Sequence, residues 1–481
     1  MKHRSRWTFM GLPAILLVVT CTTNPVTVEN FNADRALLPD GAIMLGLTLV
    51  PGGAQVANGE YWEAGAIAGT FAGSVAAVSF GFQPDHPGSS NYVPKPGYDA
   101  LALVGVLGLV GSVAYNITDA ITTSMQRQAQ YSAILADPRV LSKLVALEKR
   151  DAAPLYAIRY ASYGSTPSYV VRLRNLGESK LRQIEVYAEG SYLSGTDQPV
   201  ARVPELAGKS TVDIPVSLRF DPGVAALTED RTVPLRLTAS FRLAGTEQRT
   251  STIGQVVILG RNAVDWGTPA ALASSVQPQD PPIREFARGI GSRVSEMGGS
   301  PSDPSFTLQV LVAALNARGL AWFPDPLTPF AETSKATGRA DYLQLPRESL
   351  HFLGGDSDEI SILLSAVCEA AGLETALLFR PGTILTAVRL GPASPFAGDL
   401  RSIGGDAARE WAVLDPSRMP TDLRTLIQAG AQRMDRDGLS GLTVVRVRSA
   451  WGAYPPAVLS DTAWRAEVPS SQALRQIVGA P

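Results

Sequence analysis

Two long stretches without a charged residue constrain this chain more than any other feature. Residues 64–82 and residues 100–118 contain no Asp, Glu, Lys or Arg. As a helix, each stretch is long enough to cross the ~30 Å hydrocarbon core of a bilayer. Small residues dominate the first stretch, where Gly65 and Gly69 have the four-residue spacing that lets two helices approach closely in lipid. The sequence therefore predicts a transmembrane helical hairpin within residues 40–125, and two core helices of a soluble domain are the alternative.

Short motifs flank the two apolar stretches. The segment LVPGGAQVANGEYWEAG leads into the first stretch, and YNITDA closes the second. The first segment resembles the P-G-x-G-Q-x-x-N-G-x-Y-x-x-G signature of small bacterial membrane hairpins. YNITDA resembles the end of such a hairpin, which implies that the second helix leaves the membrane there.

Residues 1–21 are typical of an export leader. Basic residues within positions 2–6 precede a short apolar run at 7–19, which is too short to span a bilayer comfortably. The run ends in V-V-T-C, which resembles a bacterial lipobox in which Cys21 carries the lipid and becomes the mature N-terminus. Thr20 departs from the usual small residue before that cysteine. Lipid attachment at Cys21, a plain signal peptide and an uncleaved anchor are the three alternatives.

Two signals disagree about orientation in the membrane. An exported leader followed by two spans leaves the rest of the chain in the periplasm, outside the bacterial inner membrane. Basic residues within 127–150 follow the second span, whereas Lys95 is alone between the spans, and the positive-inside rule favours the opposite orientation. The prediction follows the leader, because the first segment usually dominates. The expected partners are membrane lipid and an unidentified envelope protein or peptide.

The balance of charge and the few cysteine and histidine residues limit the kinds of partner and site that are expected. The 42 Lys and Arg residues nearly balance the 44 Asp and Glu residues, so nothing indicates a nucleic-acid partner. The two cysteines, Cys21 and Cys368, cannot form a disulfide framework, and no cofactor or metal site is expected. Cys368 falls on an apolar helix face and is expected to be a small buried hydrophobe. The three histidines are far apart in the sequence: His3, His86 and His351.

The hydrophobic pattern changes to a period of two after the membrane region. Runs such as YVVRLRNL and LRQIEVYA are separated by Gly, Asn, Asp and Pro, as between strands. Residues 152–260 are long enough for one all-β sandwich of the immunoglobulin type. The run Asn175-Leu176-Gly177 followed by LRQIEVYAEG resembles bacterial adhesion-type Ig modules. A structural spacer is the favoured role for this unit, and ligand binding is the alternative.

The remaining segments are predicted to connect these units. Residues 126–151 are expected to form an amphipathic connecting helix that is broken at Asp137-Pro138. Prolines mark residues 261–282 as a linker, with exposed backbone and easy proteolysis near 275–283. Residues 457–481 are expected to be a C-terminal tail.

Residues 354–383 carry the strongest local signal in the second half of the chain. Three acidic residues lie in the first turn of a predicted helix, where the helix dipole favours negative charge: Asp356, Asp358 and Glu359. The apolar positions form one helical stripe: Ile360, Leu363, Leu364, Val367, Cys368 and Ala371. Gly372 ends the helix, and a short apolar strand at 374–379 leads into the turn Arg380-Pro381-Gly382.

This order of elements resembles the core of transglutaminase-like domains, which are circularly permuted relatives of papain-fold cysteine proteases. In that family the run reads G-D-C-D-D, helix, strand and P-G-H, followed by a tryptophan strand that ends in an acid, here WAVLD. The resemblance implies an α+β domain at 283–456. Ser357 occupies the position of the nucleophilic cysteine, Thr383 that of the histidine base and Asp415 that of the orienting acid. It also implies that Thr383 and Asp415 face Ser357 from neighbouring strands.

The two replacements predict a site without catalysis. A thiol has a pKa of about 8.5 that is readily lowered, whereas a helix dipole of ~0.3–1 kcal/mol cannot turn Ser357 into an alkoxide. Thr383 cannot accept a proton at neutral pH, and His351 is the only nearby histidine, with packing as its expected role. No catalytic residue is expected. The alternative is an active serine-based hydrolase or transferase of peptide or amide bonds, which requires a histidine within reach of Ser357.

The sequence thus predicts a multidomain protein. A transmembrane helical hairpin comes first, an all-β Ig-like sandwich follows, and an α+β transglutaminase-like domain completes the chain. The predicted role is a membrane-anchored envelope protein that binds a protein or peptide or has a structural role.

Overall fold

The computed structural model describes residues 50–478, except for eight short gaps: 59–60, 151–152, 244, 326–328, 337, 339, 439–440 and 460–463. The predicted leader and the lipid attachment position at Cys21 lie outside these residues. The architecture consists of two apolar helices near the start, followed by a mixed α/β body with several sheets.

The first part of the chain forms a helical hairpin. A short helix, α1 (Gly53–Asn58), precedes α2 (Tyr61–Gly81). A two-stranded ribbon of β1 (Phe82–Pro84) and β2 (Tyr92–Pro94) then leads to α3 (Asp99–Leu135). Helix α2 and the first part of α3 are long and apolar enough to cross a membrane, and only 22% of each apolar window is buried. Core helices of a soluble protein are mostly buried, so this exposure is compatible with a membrane anchor.

Small residues hold the hairpin together. A Cβ atom on Gly105 would lie 2.7 Å from the backbone nitrogen of Val78, and one on Gly81 would lie 2.8 Å from the Cα of Ala102. The two backbones therefore approach closely only because these positions lack a side chain. Gly69, in contrast, has no atom within 4 Å of its Cβ position and faces outward.

The connection after the hairpin differs from the prediction. Helix α3 continues without a break to Leu135, and the expected break at Asp137-Pro138 is present, with Asp137 capping α4 (Pro138–Leu144). The segment Val145–Lys149 is a strand, β3, rather than the end of a connecting helix. Val145 and Leu147 alternate with more exposed residues and pack into the β-sheet core, which explains the strand.

Residues 145–259 form two sheets whose apolar faces share one core. One sheet has the order β3-β5-β8, and the other has the order β4-β10-β9-β6-β7. All pairs are antiparallel except β4–β10, which is parallel. The strands are β4 (Leu155–Tyr156), β5 (Tyr169–Asn175), β6 (Leu181–Gly190), β7 (Ala201–Leu206), β8 (Thr211–Val216), β9 (Arg231–Leu243) and β10 (Thr246–Leu259).

The stretch at 261–282 is buried, which corrects the expectation of an exposed linker. Strand β11 (Ala263–Val264) pairs with β13 (Asp341–Tyr342), and a 3₁₀ turn follows at Pro269–Ser275. Val276 and Gln277 have almost no exposed surface, so proteolysis near 275–283 is no longer expected. The prolines have another role, since Pro281 and Pro282 begin helix α5, where a missing N–H costs nothing.

The C-terminal body packs helices on both faces of a four-stranded antiparallel sheet, β17-β16-β15-β18. Its helices are α5 (Pro281–Glu296), α6 (Pro304–Arg318), α7 (Phe330–Thr333), α8 (Pro346–Phe352), α9 (Ser357–Ala370), α10 (Leu423–Asp437), α11 (Val447–Ala450) and α12 (Ser471–Val478). Its strands are β12 (Ala321–Trp322), β13, β14 (Gly354–Gly355), β15 (Thr375–Arg380), β16 (Thr383–Arg389), β17 (Trp411–Leu414) and β18 (Thr443–Arg446).

Two elements of this body differ from their predictions. Helix α9 is buried around nearly its whole circumference, including Ser361 and Ile362, and not along a single stripe. The predicted tail at 457–481 contains α12, whose Leu474 is fully buried in the body's core. Both differences arise because elements that are distant in the sequence pack against these two helices.

Candidate functional site

Ser357 is the first residue of α9, and an acidic capping box sets the start of this helix. The Asp356 carboxylate accepts a hydrogen bond from the backbone N–H of Asp358 at 3.2 Å. The Glu359 carboxylate accepts one from the backbone N–H of Asp356 at 2.9 Å. These bonds satisfy amide groups that a helix start otherwise leaves unpaired. The prediction that acidic residues cap this helix is confirmed for Asp356 and Glu359, whereas Asp358 takes part only through its backbone N–H.

The Ser357 hydroxyl has an aromatic partner that the sequence did not reveal. Trp322 Nε1 donates a hydrogen bond to Ser357 Oγ at 3.2 Å. Strand β12 carries Trp322 and pairs in parallel with β14, which immediately precedes the capping box. This pairing brings the indole to the helix start across 35 residues of sequence.

Thr383 and Asp415 lie on neighbouring strands and share one arginine. Thr383 is the first residue of β16, and Asp415 follows β17 directly. Arg433 on α10 donates from Nη2 to Thr383 Oγ1 at 3.1 Å, and its Nη1 lies 3.7 Å from Asp415 Oδ2. The Asp415 carboxylate also accepts a hydrogen bond from the Ser417 hydroxyl at 2.6 Å. A guanidinium thus joins two of the three predicted site positions.

Ser357 does not join this network. Side chains alternate between the faces of a strand, and Thr386 of β16 faces α9, where its hydroxyl donates to Ser361 O at 3.1 Å. Thr383 instead shares the face of Leu385, which packs against α10 in a separate small core. Within the residues that the structure describes, no hydrogen bond links Ser357 to Thr383 or Asp415.

The acidic start of α9 lies in a poorly solvated environment. Burial raises the pKa of Asp356 to about 7, against the opposing effect of a hydrogen bond from the backbone N–H of Phe330. Burial also raises the pKa of Glu359, although hydrogen bonds from the backbone N–H groups of Gln344 and Asp356 oppose this shift. Ionised carboxylates here would repel a negative charge on Ser357 Oγ. This environment disfavours an alkoxide at the helix start.

Two other candidate residues have structural roles. The His351 ring packs at 4.9 Å from the Trp464 ring and at 5.2 Å from the Phe352 ring, measured between centroids. Cys368 is fully buried, and burial raises the pKa of its thiol, as expected for a small hydrophobe. Over the described part of the chain, no group of three or more His, Cys, Asp or Glu side chains is arranged to hold a metal ion.

Two aromatic residues, Trp322 and Phe323, lie beside the start of α9, and the exposed Phe352 comes shortly before it in the sequence. Phe323 is 59% exposed, and a Cβ atom on Gly354 would lie 3.0 Å from its ring. The backbone N–H of Phe323 donates to Gly355 O at 2.8 Å, which fixes the residue beside the helix start. Phe352 is 69% exposed and precedes Gly354 by two residues. We call Trp322, Phe323 and Phe352 the aromatic rim.

Comparison with known proteins assigns no family to this chain. No protein-family model matches the chain, and no curated protein matches it significantly.

Proposed function

We propose that this protein is a membrane-anchored envelope protein whose C-terminal body is a non-catalytic transglutaminase-like domain that binds a protein or peptide partner. The observation that carries the proposal is the position of Arg433. Its guanidinium donates a hydrogen bond to Thr383 and forms an ion pair with Asp415, the positions where the family resemblance implies a histidine base and its orienting acid. A guanidinium stays protonated at any physiological pH and cannot accept a proton.

The chemistry around Ser357 also supports a non-catalytic role. A serine nucleophile needs a base within hydrogen-bond reach, and the hydrogen bond at its hydroxyl comes from an indole that can only donate. His351, the one nearby histidine, packs against aromatic rings instead. The alternative of a serine-based hydrolase therefore has no supporting contact within the described residues.

The order and layering of the elements support the proposed domain identities. A capped helix, two hairpin strands and a tryptophan strand that Asp415 directly follows come one after another, with α9 packed on the sheet. The two sheets at 145–259, antiparallel except for the β4–β10 pair, share one core, as in the Ig-like sandwich that we propose for this unit.

The aromatic rim supports a protein or peptide as partner. Exposed aromatic residues are enriched at protein interfaces, where they contribute much of the binding energy. Phe323 exposes most of its surface beside a site that lacks a base, and Phe352, which is also mostly exposed, precedes that site by a few residues in the sequence. A binding role explains why large apolar side chains lie in water there.

The hairpin supports the proposal of a membrane anchor. It also supports a position of the rest of the protein on the same side of the bilayer as residue 50. The Gln55 amide donates to Asp119 Oδ2 at 2.9 Å, so the segment before the first helix meets the end of the second apolar stretch. Both ends of the hairpin therefore lie on one side of the bilayer. An exported leader would make that side the periplasm, with membrane lipid around the helices and with lipidation of Cys21 as a further anchor.

Two assays test this proposal. Detergent-solubilised protein should neither hydrolyse peptides nor react with a serine-directed fluorophosphonate. Labelling that disappears in Ser357→Ala would refute the non-catalytic role. A photo-crosslinking amino acid at position 352 should capture one defined partner in cells, and Phe323→Ser should abolish that product. The same probe at Ile253, an exposed residue of the β-sheet unit, is the control and should not capture it.

A further inference from the structure

Strand β10 lies near one border of the five-stranded sheet and has 14 residues. On one side it pairs with β9 from Thr246 to Ile258. On the other side its strand neighbour is β4, which meets it only at Ile258 and Leu259. Within the described part of the chain, the outer edge of residues 246–257 therefore has no neighbouring strand. Along such an edge, alternate residues direct backbone N–H and C=O groups away from the sheet.

The other sheet edges of this unit carry features that oppose pairing with another chain. Strand β7, at the opposite edge of the same sheet, contains Pro204. Strand β8, at one edge of the three-stranded sheet, contains Pro215. Strand β3, at the other edge, has only five residues and ends in Glu148 and Lys149. Proline, lysine and short length are devices by which proteins block exposed edges.

Strand β10 has none of these devices. Its sequence, TEQRTSTIGQVVIL, contains neither Pro nor Lys, and no charged residue follows Arg249 in it. Glu247 and Arg249 pair with each other at 3.0 Å, so their charges balance. Thr, Ile and Val favour strands, and Ile253 is 61% exposed. The strand therefore has the composition expected of one with a neighbour on both sides.

We propose that this edge binds a second copy of the chain, with the two β10 strands antiparallel about a twofold axis. In such a contact the same surface meets itself, so it must be self-complementary. Pairing centred on Ser251 places Arg249 opposite Ile253 of the second copy. It also places Glu247 opposite Gln255 of the second copy, whose amide can donate to the carboxylate. No like charges then stand directly opposite each other.

The charge of the edge favours a second copy over a partner of one fixed charge. An edge that recruits an acidic or a basic segment would carry the opposite charge, whereas β10 carries one charge of each sign. Pairing would join two five-stranded sheets into one continuous sheet through backbone hydrogen bonds. The β-sheet unit would then have a role in assembly in addition to that of a spacer.

Light scattering after size-exclusion chromatography tests this contact in the detergent-solubilised full chain, and the wild type should be a dimer. Ile253→Lys should raise the dimer Kd at least about tenfold, because it places a positive charge opposite Arg249 at two symmetric positions. Val170→Lys is the matched control, since Val170 is an exposed apolar residue on β5, the middle strand of the other sheet. This control should stay within about twofold of the wild type.

Charge reversal separates the contact from a folding defect. The double variant Arg249→Glu with Ile253→Lys should recover the dimer that Ile253→Lys loses, because opposite charges then face each other across the axis. A misfolded variant would not be rescued in this way. A monomeric wild type, an unchanged dimer in Ile253→Lys or a failure of the rescue would each overturn the proposal. An unchanged dimer would assign the contact to another surface, such as the membrane hairpin.

Cross-linking provides a second readout. Ser251→Cys should form a disulfide-linked dimer under mild oxidation, because directly opposite residues of paired strands have Cα atoms ~4.5–5.5 Å apart, within disulfide range. Val170→Cys should remain a monomer on a non-reducing gel. Both variants keep Cys21 and the buried Cys368, so the difference between them reports the position of the new thiol. Equal cross-linking of the two variants would contradict the pairing.

Discussion

Helices α2 and α9 are both apolar, yet the molecule uses them in opposite ways. Helix α2 leaves most of its apolar surface outside the protein, whereas α9 is enclosed by other elements along nearly its whole length. Helix α9 begins with a carboxylate capping box, and its first turn is buried. The comparison shows that an apolar composition predicts a helix but does not predict whether lipid or protein surrounds that helix. Lipid can cover one such helix and protein the other.

The largest expected effect is a core truncation in the enclosed helix. Leu364→Ala in α9 should lower the free energy of unfolding by about 2–5 kcal/mol, because it leaves a cavity in a fully packed core. Leu107→Ala in α3, where the side chain is 62% exposed, is the matched control and should change stability by less than about 0.5 kcal/mol. Denaturant unfolding of the detergent-solubilised protein measures both. Similar losses of stability in the two variants would mean that α3 and α9 lie in the same environment.

The close approach of α2 and α3 is the next test. Gly105→Leu should destabilise the hairpin by about 1–3 kcal/mol, because a side chain there collides with the backbone of Val78. Gly69→Leu, which points into open space, should leave the hairpin intact. Size-exclusion chromatography in mild detergent after graded heating should show early loss of the folded peak only for Gly105→Leu. Loss in both variants would indicate a further packing contact at Gly69.

The buried start of α9 should make stability depend on pH. The pKa of Asp356 is raised to about 7 in the folded protein, so between pH 4 and 7 the folded state binds more protons than the unfolded state. Its contribution to stability should therefore be largest at low pH and should fall by about 2.5 kcal/mol between pH 5 and pH 7.5.

Tryptophan fluorescence suits this measurement, because most tryptophans lie in the C-terminal body: Trp266, Trp322, Trp411, Trp451 and Trp464. Asp356→Asn should flatten the change with pH relative to the wild type. If the stability of that variant changes with pH as much as that of the wild type, groups other than Asp356 cause the pH dependence.

The smallest expected effect concerns the contact at the helix start. Trp322→Phe removes the hydrogen bond to Ser357 and should cost about 0.5–1.5 kcal/mol. A double-mutant cycle with Ser357→Ala should give a coupling of that size, measured by denaturant unfolding. Additive losses would mean that the indole packs at this site without a hydrogen bond that contributes to stability.

Local patterns were enough to predict much of the fold. The two apolar stretches, the break at Asp137-Pro138, the acidic cap of α9 and the turn at Gly382 all depend on residues close together in the sequence. Helix caps, helix breaks and strand alternation are set by sterics and hydrogen bonds over a few residues. For that reason the sequence by itself determined where these elements begin and end.

Only the tertiary structure determined which elements and side chains contact each other. The Trp322–Ser357 hydrogen bond and the Arg433–Thr383 hydrogen bond join residues 35 and 50 positions apart. The burial of 261–282 and the full enclosure of α9 likewise depend on distant segments. No local pattern encodes such pairs, because chain topology and packing bring them together after the elements have formed.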